Sequence, residues 1–390
     1  MENVPSLPLL PTGEEAAIRE AVRAVCAPYD TRYARACHEE GRPPTELWNA
    51  LSAAGFAGVN VPAEWGGGGL GMYGLQAVME EVAAAGCGSL MLVVSAAIAG
   101  TVLARHGSDT QKDRWLRGIA AGTTRVAFAI TEPDAGTNSH NLRTEIRRDG
   151  DGYRLSGQKV FTSGIEDAHA VLVIARFKRA DGTLGKPTLC IADTDAPGFS
   201  STVIPMPFIG PDRQWTLHFD DVALDADRIV GGEEAGLVAV FDGLNPERIA
   251  VAALCNGYAR RALDKAAAYA NQRVVWKTPI GAHQGVSHPL ARAKIELELA
   301  RLMTQKAAML VDAGAAEAGE ASNMAKYAAA VAGQHAVDAA IQTHGGNGIT
   351  IEYGISDLWW AVRTLHVAPV SAEMVLNHVA QHSLGLPRSY

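Results

Sequence analysis

Residues 128–137 have the sequence Phe128-Ala129-Ile130-Thr131-Glu132-Pro133-Asp134-Ala135-Gly136-Thr137, in which a half-apolar run leads into a turn dense in hydroxyls and small residues. The apolar start is typical of a strand. Pro133 and Gly136 bend the backbone tightly, so that some N–H groups of the turn lack an internal partner. The hydroxyls of Thr131 and Thr137 add adaptable donors. Such a turn can bind an anionic or heteroaromatic ligand, although most turns of this composition only reverse the chain.

The bulk composition is that of a globular protein of more than one domain. The chain has 390 residues, 48% hydrophobic and 19% charged, with a formal net charge of -8. This charge, without a dense Lys/Arg run, argues against a nucleic-acid partner. The apolar run 89–104 is short for a membrane span and predicts a buried core helix instead. The five cysteines have no paired spacing, which predicts neither a disulfide framework nor a metal site, and the N-terminus lacks a signal peptide, so we expect a cytoplasmic protein.

The spacing of apolar residues changes twice along the chain, from helical to β-rich and back to helical. Apolar residues at helical spacing predict helices over 14–27, 46–54, 74–85 and 110–121, and long Ala-rich helices over 245–272, 288–313 and 320–343. Between them, short β-rich runs separated by Asp-Gly and Pro-Gly turns, at 153–155, 170–174, 188–191 and 216–219, predict an antiparallel β unit. We therefore predict an α+β protein with three domains, 1–125 (helical), 126–232 (β) and 233–390 (helical).

Four further segments follow the first turn in a fixed order. They are Gly157-Gln158-Lys159-Val160-Phe161-Thr162-Ser163-Gly164, Leu244-Asn245-Pro246-Glu247-Arg248-Ile249, Arg273-Val274-Val275-Trp276-Lys277-Thr278-Pro279-Ile280-Gly281-Ala282-His283-Gln284 and Gln342-Thr343-His344-Gly345-Gly346-Asn347-Gly348. With these segments the sequence resembles the acyl-CoA dehydrogenase family of flavoproteins, from Trp65-Gly66-Gly67-Gly68-Gly69-Leu70 to the C-terminus. The resemblance implies an N-terminal helical domain, a middle β-barrel-like domain and a C-terminal four-helix bundle, assembled as a homotetramer. It further implies FAD as cofactor, an acyl-CoA thioester as substrate and an electron-transferring flavoprotein as redox partner.

The resemblance also assigns cofactor contacts in the β region. It implies that Thr131 contacts the pyrimidine edge of the flavin, that Phe161 covers the ring, and that Ser163 hydrogen-bonds near the reactive N5. Thr137 would lie by the phosphates of FAD or of the acyl-CoA. Plain core packing in a strand is the alternative for Phe161.

Further cofactor contacts fall in the C-terminal region. The resemblance places Arg273, Trp276 and Gln284 at the pyrophosphate and adenine of FAD, where a guanidinium suits phosphate because it binds in a bidentate way and stays charged. It also brings Gln342 and the Gly345-Gly346 backbone close to the FAD of a partner subunit. Ordinary helix C-capping would explain these glycines as well, and a solvated helix-end residue is the alternative for Arg273.

The catalytic base is the least ordinary feature. In the family a carboxylate removes the α-proton of the thioester while the β-hydrogen leaves as hydride. Many members carry this base at the position that corresponds to Pro369, and proline is not a base. Some relatives place it where Glu247 stands, so Glu247 is the predicted base. Locally we expect Asn245 to cap a helix, with Pro246 at its first position and Glu247 in the first turn, where an acid is also ordinary.

Substrate contacts are expected beside this base. Asn245 would meet the pantetheine and Arg248 the CoA moiety. Ser371 keeps a hydroxyl where relatives have Thr, and we count it among the cofactor contacts. Glu373 lies four residues beyond the usual base position and is interpreted as a structural helix acid.

Pro369 leaves the function open in one respect. In relatives the N–H at this position polarises the thioester oxygen, and proline has none. Either the N–H of Val370 donates instead, or the contact is weakened, or the reaction is another flavin reaction such as that of a monooxygenase, an oxidase or a desulfinase. Trp360-Ala361 also stands where relatives have Arg-Asp. A non-catalytic subunit of a mixed oligomer is the remaining alternative, and acyl length and the choice between CoA and a carrier-protein thioester stay open.

Overall fold

The computed structural model describes residues 12–208, 210–233 and 236–388, with only the backbone described at 140, 236 and 237. The helices are α1 (Gly13–Cys26), α2 (Thr31–Glu40), α3 (Thr45–Ala53), α4 (Gly71–Ala85), α5 (Thr101–His106), α6 (Asp109–Gln111), α7 (Arg117–Ala121), α8 (Gly236–Gln272), α9 (Gln284–Asp312), α10 (Ala318–His344), α11 (Ile355–Val367) and α12 (Ala372–His378). The strands are β1 (Val126–Ala129), β2 (Glu145–Asp149), β3 (Gly152–Ser163), β4 (Ala170–Lys178), β5 (Leu184–Asp193), β6 (Phe199–Ile204), β7 (Gln214–Leu224), β8 (Ile229–Val230), β9 (Val274–Val275) and β10 (Thr278–Pro279). Helices, then strands, then helices confirm the predicted α+β class.

Helices α1 and α2 begin at polar caps, and a further helical segment of the N-terminal region is fully buried. Thr12 Oγ1 accepts the N–H of Glu15 at 3.1 Å, and Asp30 Oδ1 accepts that of Arg32 at 2.9 Å. The segment Leu92–Gly100, which has wider helical turns and leads into α5, is buried at every position. This confirms the core helix predicted for 89–104. Within the described ranges, no helix has the length and apolar character needed to span a membrane.

The middle of the chain forms one eight-stranded sheet with the order β6-β7-β3-β2-β4-β5-β8, and β1 pairs with β4. Most neighbours are antiparallel, as predicted, but β1–β4 and β2–β4 are parallel. All four residues of β1 are buried. A short, continuously apolar strand without alternation is typical of parallel pairing inside a sheet. The prediction of an antiparallel unit did not take this pattern of β1 into account.

The C-terminal region is a bundle in which α8, α9 and α10 pack together, with α11 against α8 and α10. Alanines at the contact positions, such as Ala329, Ala332 and Ala336, are at most 2% exposed, and their small side chains let the helices approach closely. A buried ion network joins the bundle to the N-terminal helices, with Arg260 Nη2 2.5 Å from Glu81 Oε2. The bundle and the first helices therefore form one packed body.

The start of α8 differs from the prediction. The helix begins at Gly236, so Pro246 lies inside it rather than at its first position, and Asn245 is not its N-cap. Proline in a helix interior removes a backbone hydrogen bond, but the preceding turns are held by packing: Ala239 and Val240 are buried. Glu247 therefore lies several turns from the helix N-terminus. At this distance the helix dipole does not stabilise its negative charge.

Candidate active site

A buried ion pair holds the turn after β1. Lys159 Nζ lies 2.8 Å from Glu132 Oε1 and 2.9 Å from the carbonyl oxygen of Ile130, and Glu132 also accepts the N–H groups of Arg143 and Thr144 at 2.6 and 2.9 Å. Burial raises the pKa of Glu132, but Lys159 and these hydrogen bonds outweigh it, so this pKa lies below its usual value. Burial lowers the pKa of Lys159 to about 8. Both groups are charged at neutral pH, and the Glu132–Lys159 pair fixes the turn against β3.

Phe161 lies at a bulge of β3 and faces outward. The register against β7 shifts between Lys159 and Thr162. Phe161 itself has a φ of 57° and is 60% exposed. A left-handed backbone at an aromatic residue costs on the order of 1–2 kcal/mol and is concentrated at functional sites. The exposed ring excludes plain core packing for Phe161.

Thr131 and Ser163 lie close to Phe161 along the backbone, Ser163 on the same strand and Thr131 across from Val160. The carbonyl oxygen of Thr131 accepts the N–H of Val160 at 2.9 Å, which brings the turn next to Phe161. Ser163 Oγ accepts a hydrogen bond from Gln214 Nε2 at 2.8 Å. Thr137 is exposed farther along the same turn. The turn and the end of β3 thus bring together Thr131, Phe161 and Ser163, the three residues predicted to contact the flavin ring, and Thr137 follows in the same turn; these four residues are the ring group.

A second set of predicted residues lies at the far end of the bundle. Arg273 and Gln284 are exposed, and Trp276, at the tip of the β9–β10 hairpin, is 92% exposed with a φ of 63°. Gly345 ends α10 with a φ of 60°, and a Cβ added at Gly345 or Gly346 would meet nothing within 4 Å.

The hairpin and the glycine turn are neighbours in this set. Asn347 Nδ2 donates to Tyr269 OH at 3.1 Å, and the N–H of Arg273 donates to the carbonyl oxygen of Tyr269 at 2.8 Å. Gln342 is exposed one helical turn before Gly346. Arg273, Trp276, Gln284, Gln342, Gly345 and Gly346 therefore form an open surface, the hairpin group.

The predicted base has an unusual environment. Glu247 is only half-buried as a residue, but its Oε2 atom is shielded from solvent and has no hydrogen-bond partner within the described chain. Beside it, Arg248 Nη1 donates to Asn245 Oδ1 at 2.7 Å, and Arg248 Nε is buried without a partner. Unpartnered buried polar atoms are rare in folded proteins and call for a ligand or a functional reason. The two predicted substrate contacts are thus side by side next to the base.

Burial of the carboxyl group changes its acidity. Desolvation raises the pKa of Glu247 to about 7, although the charges of Arg248 and Lys326 act to lower it. The shielded carboxyl atoms, rather than the average exposure of the residue, determine this value. A carboxyl group with a pKa near neutrality can both accept and release a proton at physiological pH. The geometry therefore permits Glu247 to act as a general base.

Sequence reasoning assigned no role to Lys326, which is 1% exposed. Its Nζ donates to the carbonyl oxygens of His366 and Val370 at 2.8 and 2.6 Å. These carbonyls flank Pro369, which is exposed. The available signal was a single lysine among alanines of a buried helix face. The Glu132–Lys159 pair was also missed, although both residues lie in the quoted motifs.

The segment after Pro369 leads into α12. Ser371 Oγ accepts the N–H of Met374 at 3.4 Å and caps this helix. The Glu373 carboxylate interacts with its own backbone N–H and with the Ser371 hydroxyl, and both contacts lower the pKa of Glu373. Glu373 is exposed in the first turn, where its interpretation as a helix acid is consistent with the structure. Trp360 is 44% exposed on α11, with its ring 5.0 Å from that of Trp359.

Comparison with known proteins supports this fold. The described architecture is a helix–sheet–helix protein in which a shielded glutamate carboxyl group, that of Glu247, lies near Lys326 and the segment that Lys326 holds. Family models match the acyl-CoA dehydrogenase N-terminal domain at residues 12–123, the middle domain at 127–222 and the C-terminal domain at 234–384. Acyl-CoA dehydrogenase FadE12 of Mycobacterium tuberculosis (strain H37Rv) is 54% identical over 378 residues, which are 97% of each chain.

Solved structures show the same similarity. A glutaryl-coenzyme A dehydrogenase–glutaryl-CoA complex matches with a TM-score of 0.91 and 26% identity, over 98% of each chain. Butyryl-CoA dehydrogenase from Megasphaera elsdenii matches with a TM-score of 0.90 and 25% identity, over 97% of this chain and 100% of that one. The chain belongs to the acyl-CoA dehydrogenase family, which confirms the resemblance seen in the sequence.

Proposed function

We propose that this acyl-CoA dehydrogenase carries out FAD-dependent α,β-dehydrogenation of an acyl-CoA thioester, with Glu247 as the base that removes the α-proton. The single observation that carries the assignment of the base is the shielded, unpartnered Oε2 of Glu247. A carboxylate kept without a hydrogen bond retains its full basicity toward a substrate proton. Pro369, at the other position used by relatives, has no group that can accept a proton.

The residues present fit a flavin. The ring group offers an exposed aromatic face at Phe161, a hydroxyl at Ser163 and the polar turn at Thr131, which are the contacts that an isoalloxazine requires. The open glycine turn at Gly345 and Gly346 leaves room for a close backbone approach. When bound, FAD supplies the acceptor for the β-hydrogen. Arg273, Trp276 and Gln284 are proposed to hold the pyrophosphate and adenine of FAD, and Gln342 with the Gly345-Gly346 backbone to approach the FAD of a partner subunit. Thr137 and Ser371 are proposed to add hydroxyl contacts.

The chain's own part in the reaction follows from the geometry. Glu247 Oε2 receives the α-proton, and burial makes the resulting neutral carboxyl group acceptable at this site. Arg248 and Asn245, hydrogen-bonded to each other, are proposed to orient the CoA portion. Among the described residues, the N–H of Val370 makes no backbone–backbone hydrogen bond. The N–H of Ala368, on the other side of Pro369, donates to the carbonyl oxygen of Thr364 at 2.9 Å, so the N–H of Val370 is the adjacent donor proposed to polarise the thioester oxygen.

Anaerobic mixing with a panel of acyl-CoAs tests the function. We expect the purified protein to be yellow and at least one acyl-CoA to bleach the flavin. A protein that binds FAD but is bleached by no acyl-CoA would contradict the proposed reaction. Rapid oxidation of the reduced protein by oxygen would instead favour a monooxygenase or an oxidase.

The pH dependence of bleaching provides a second test. Because the base must be ionised, and burial raises the pKa of Glu247 to about 7, we expect the rate to increase with pH through this region and to level off above it. If the base were a carboxylate of ordinary acidity, the bleaching rate would rise near pH 4 to 5 instead. A flat profile between pH 6 and 8 would contradict the assigned environment of Glu247.

The homotetramer and the electron-transferring flavoprotein are also proposals. Ile295, Leu299 and Leu302 form an apolar stripe on α9 and are 62, 63 and 52% exposed. Such a stripe, together with the exposed Trp276, is typical of a subunit interface. Sedimentation of the FAD-loaded protein is expected to give a tetramer, and a monomer at micromolar concentration would contradict it. The five cysteines are free and buried, which agrees with the proposed cytoplasmic location.

A further inference from the structure

Lys326 is a fully buried lysine whose hydrogen-bond partners are backbone carbonyls rather than a carboxylate. It lies within α10, and its Nζ bridges the carbonyl oxygens of His366 and Val370 at 2.8 and 2.6 Å. Burying an ammonium group is costly unless its donors are used. The two hydrogen bonds to carbonyl oxygens offset the cost of burying this ammonium group, and they attach the segment that carries these carbonyls to α10.

The two carbonyls belong to the segment that follows α11. The carbonyl of His366 is in the last turn of this helix, where no later N–H in the helix is available to it. The carbonyl of Val370 lies four residues farther on, just before α12. A single ammonium that binds both oxygens fixes residues 367–369 between them, including Pro369.

This clamp also determines where the amides near Pro369 point. In a trans peptide the N–H points opposite to the carbonyl of the same unit. Because the Val370 carbonyl points inward to Lys326, the N–H of Ser371 points away from it. The N–H groups of Val370 and Ser371 are then the donors that remain after Pro369.

The charge of Lys326 acts on the base as well. The groups that interact electrostatically with Lys326 or Glu247 are Arg248 and Cys255 from α8, His366 from α11 and Glu373 from α12. Arg248 and Lys326 are the two cations that lower the pKa of Glu247 against the effect of burial.

We propose that Lys326 is a positioning residue of the reaction: it fixes segment 366–371 beside the active site and supplies a positive charge that favours the proton-accepting form of Glu247. This inference rests on the proposed role of Glu247. Lys326 itself is proposed to touch neither the substrate nor the reacting atoms.

The test compares Lys326→Met with the original protein, both loaded with FAD. An infrared titration follows the carboxyl band that Glu247→Gln removes, and hydrogen–deuterium exchange follows the peptide that contains residues 366–371. We expect the pKa of Glu247 to increase by about one unit on loss of the neighbouring cation, and exchange in this peptide to accelerate. At pH 7 flavin bleaching should slow about five-fold, because a pKa one unit higher leaves a smaller ionised fraction.

Lys265→Met is the matched control, because Lys265 Nζ also donates to a backbone carbonyl, that of Tyr353, at 2.6 Å. This variant should leave the Glu247 titration and the 366–371 peptide unchanged. Equal changes in both variants would mean general loosening and would overturn the proposal. Lys326→Gln keeps a hydrogen-bond donor but removes the charge. It should therefore raise the pKa of Glu247 as much as Lys326→Met does, with a smaller change in hydrogen–deuterium exchange of the 366–371 peptide. This variant decides the outcome if Lys326→Met does not fold.

The two hypotheses fail in different ways. If no acyl-CoA bleaches the flavin, the proposed reaction fails, whereas the infrared and exchange measurements still report on the clamp. If bleaching depends on Glu247 but Lys326→Met and Lys326→Gln leave both the titration and the exchange unchanged, the role of Lys326 alone is wrong.

Discussion

Glu247→Gln is expected to retain FAD and to slow anaerobic bleaching by acyl-CoA at least ~100-fold, in line with the loss of a positioned general base. Glutamine has nearly the same shape but cannot accept the α-proton. Because Oε2 of Glu247 makes no hydrogen bond within the described residues, the substitution breaks no internal contact of that atom. Stopped-flow absorbance of the flavin, with the acyl-CoA that bleaches the unchanged protein fastest, measures the effect.

Glu373→Gln is the control for this experiment. Glu373 is the other glutamate near the segment, exposed in the first turn of α12, and the sequence interpretation gives it a structural role. Its substitution should change the bleaching rate less than two-fold, roughly the scatter expected of a surface change. The reverse pattern, with Glu247→Gln active and Glu373→Gln inactive, would move the base to α12.

Lys159→Met is expected to destabilise the folded protein by about 3–5 kcal/mol and to weaken FAD binding. The substitution leaves the buried carboxylate of Glu132 without its cation, and breaking one partner of a buried pair has an effect of this size. The same side chain also holds the carbonyl of Ile130 at 2.9 Å, next to Thr131. The midpoint of denaturant unfolding and the fraction of FAD retained after gel filtration measure the two effects.

Two further variants separate charge from packing at this site. Glu132→Gln combined with Lys159→Met removes both charges, and it should be more stable than Lys159→Met alone because no unpaired buried charge remains. Lys178→Met removes a partly exposed pair with Glu145, Nζ to Oε1 2.9 Å, and should cost less than about 1 kcal/mol. Equal losses in Lys159→Met and Lys178→Met would show that burial of the first pair does not matter.

Helices were predicted correctly where the apolar periodicity of the sequence was long and undisturbed. The predicted segments 14–27, 288–313 and 320–343 correspond to α1, α9 and α10 within a few residues, because an apolar face repeated over many turns leaves few alternatives. The prediction for Pro246 was wrong for a related reason. Asn245-Pro246-Glu247 has the composition of a helix start, and only the packing of the preceding residues shows that the helix began nine residues earlier.

From the sequence, the chemistry of the site could be predicted only to the extent that it depends on which residue types are present. The sequence could propose Glu247 as the base, because the order of motifs placed it and Pro369 excluded the alternative. It could not give Glu247 a pKa near 7, since this value results from burial and from Arg248 and Lys326 together. Lys326 lies 44 residues from Val370, and no local pattern connects the two.

By itself, the sequence determined the family, the α+β class and which side chains can accept or donate a proton, because these depend on local periodicity, motif order and the chemistry of each residue. The tertiary structure alone decided that Phe161 faces outward on a strained bulge, that Glu132 pairs with Lys159, and that Lys326 holds the segment around Pro369. The physical reason is that desolvation and long-range hydrogen bonds arise between elements distant in the chain, and they exist only once those elements pack together.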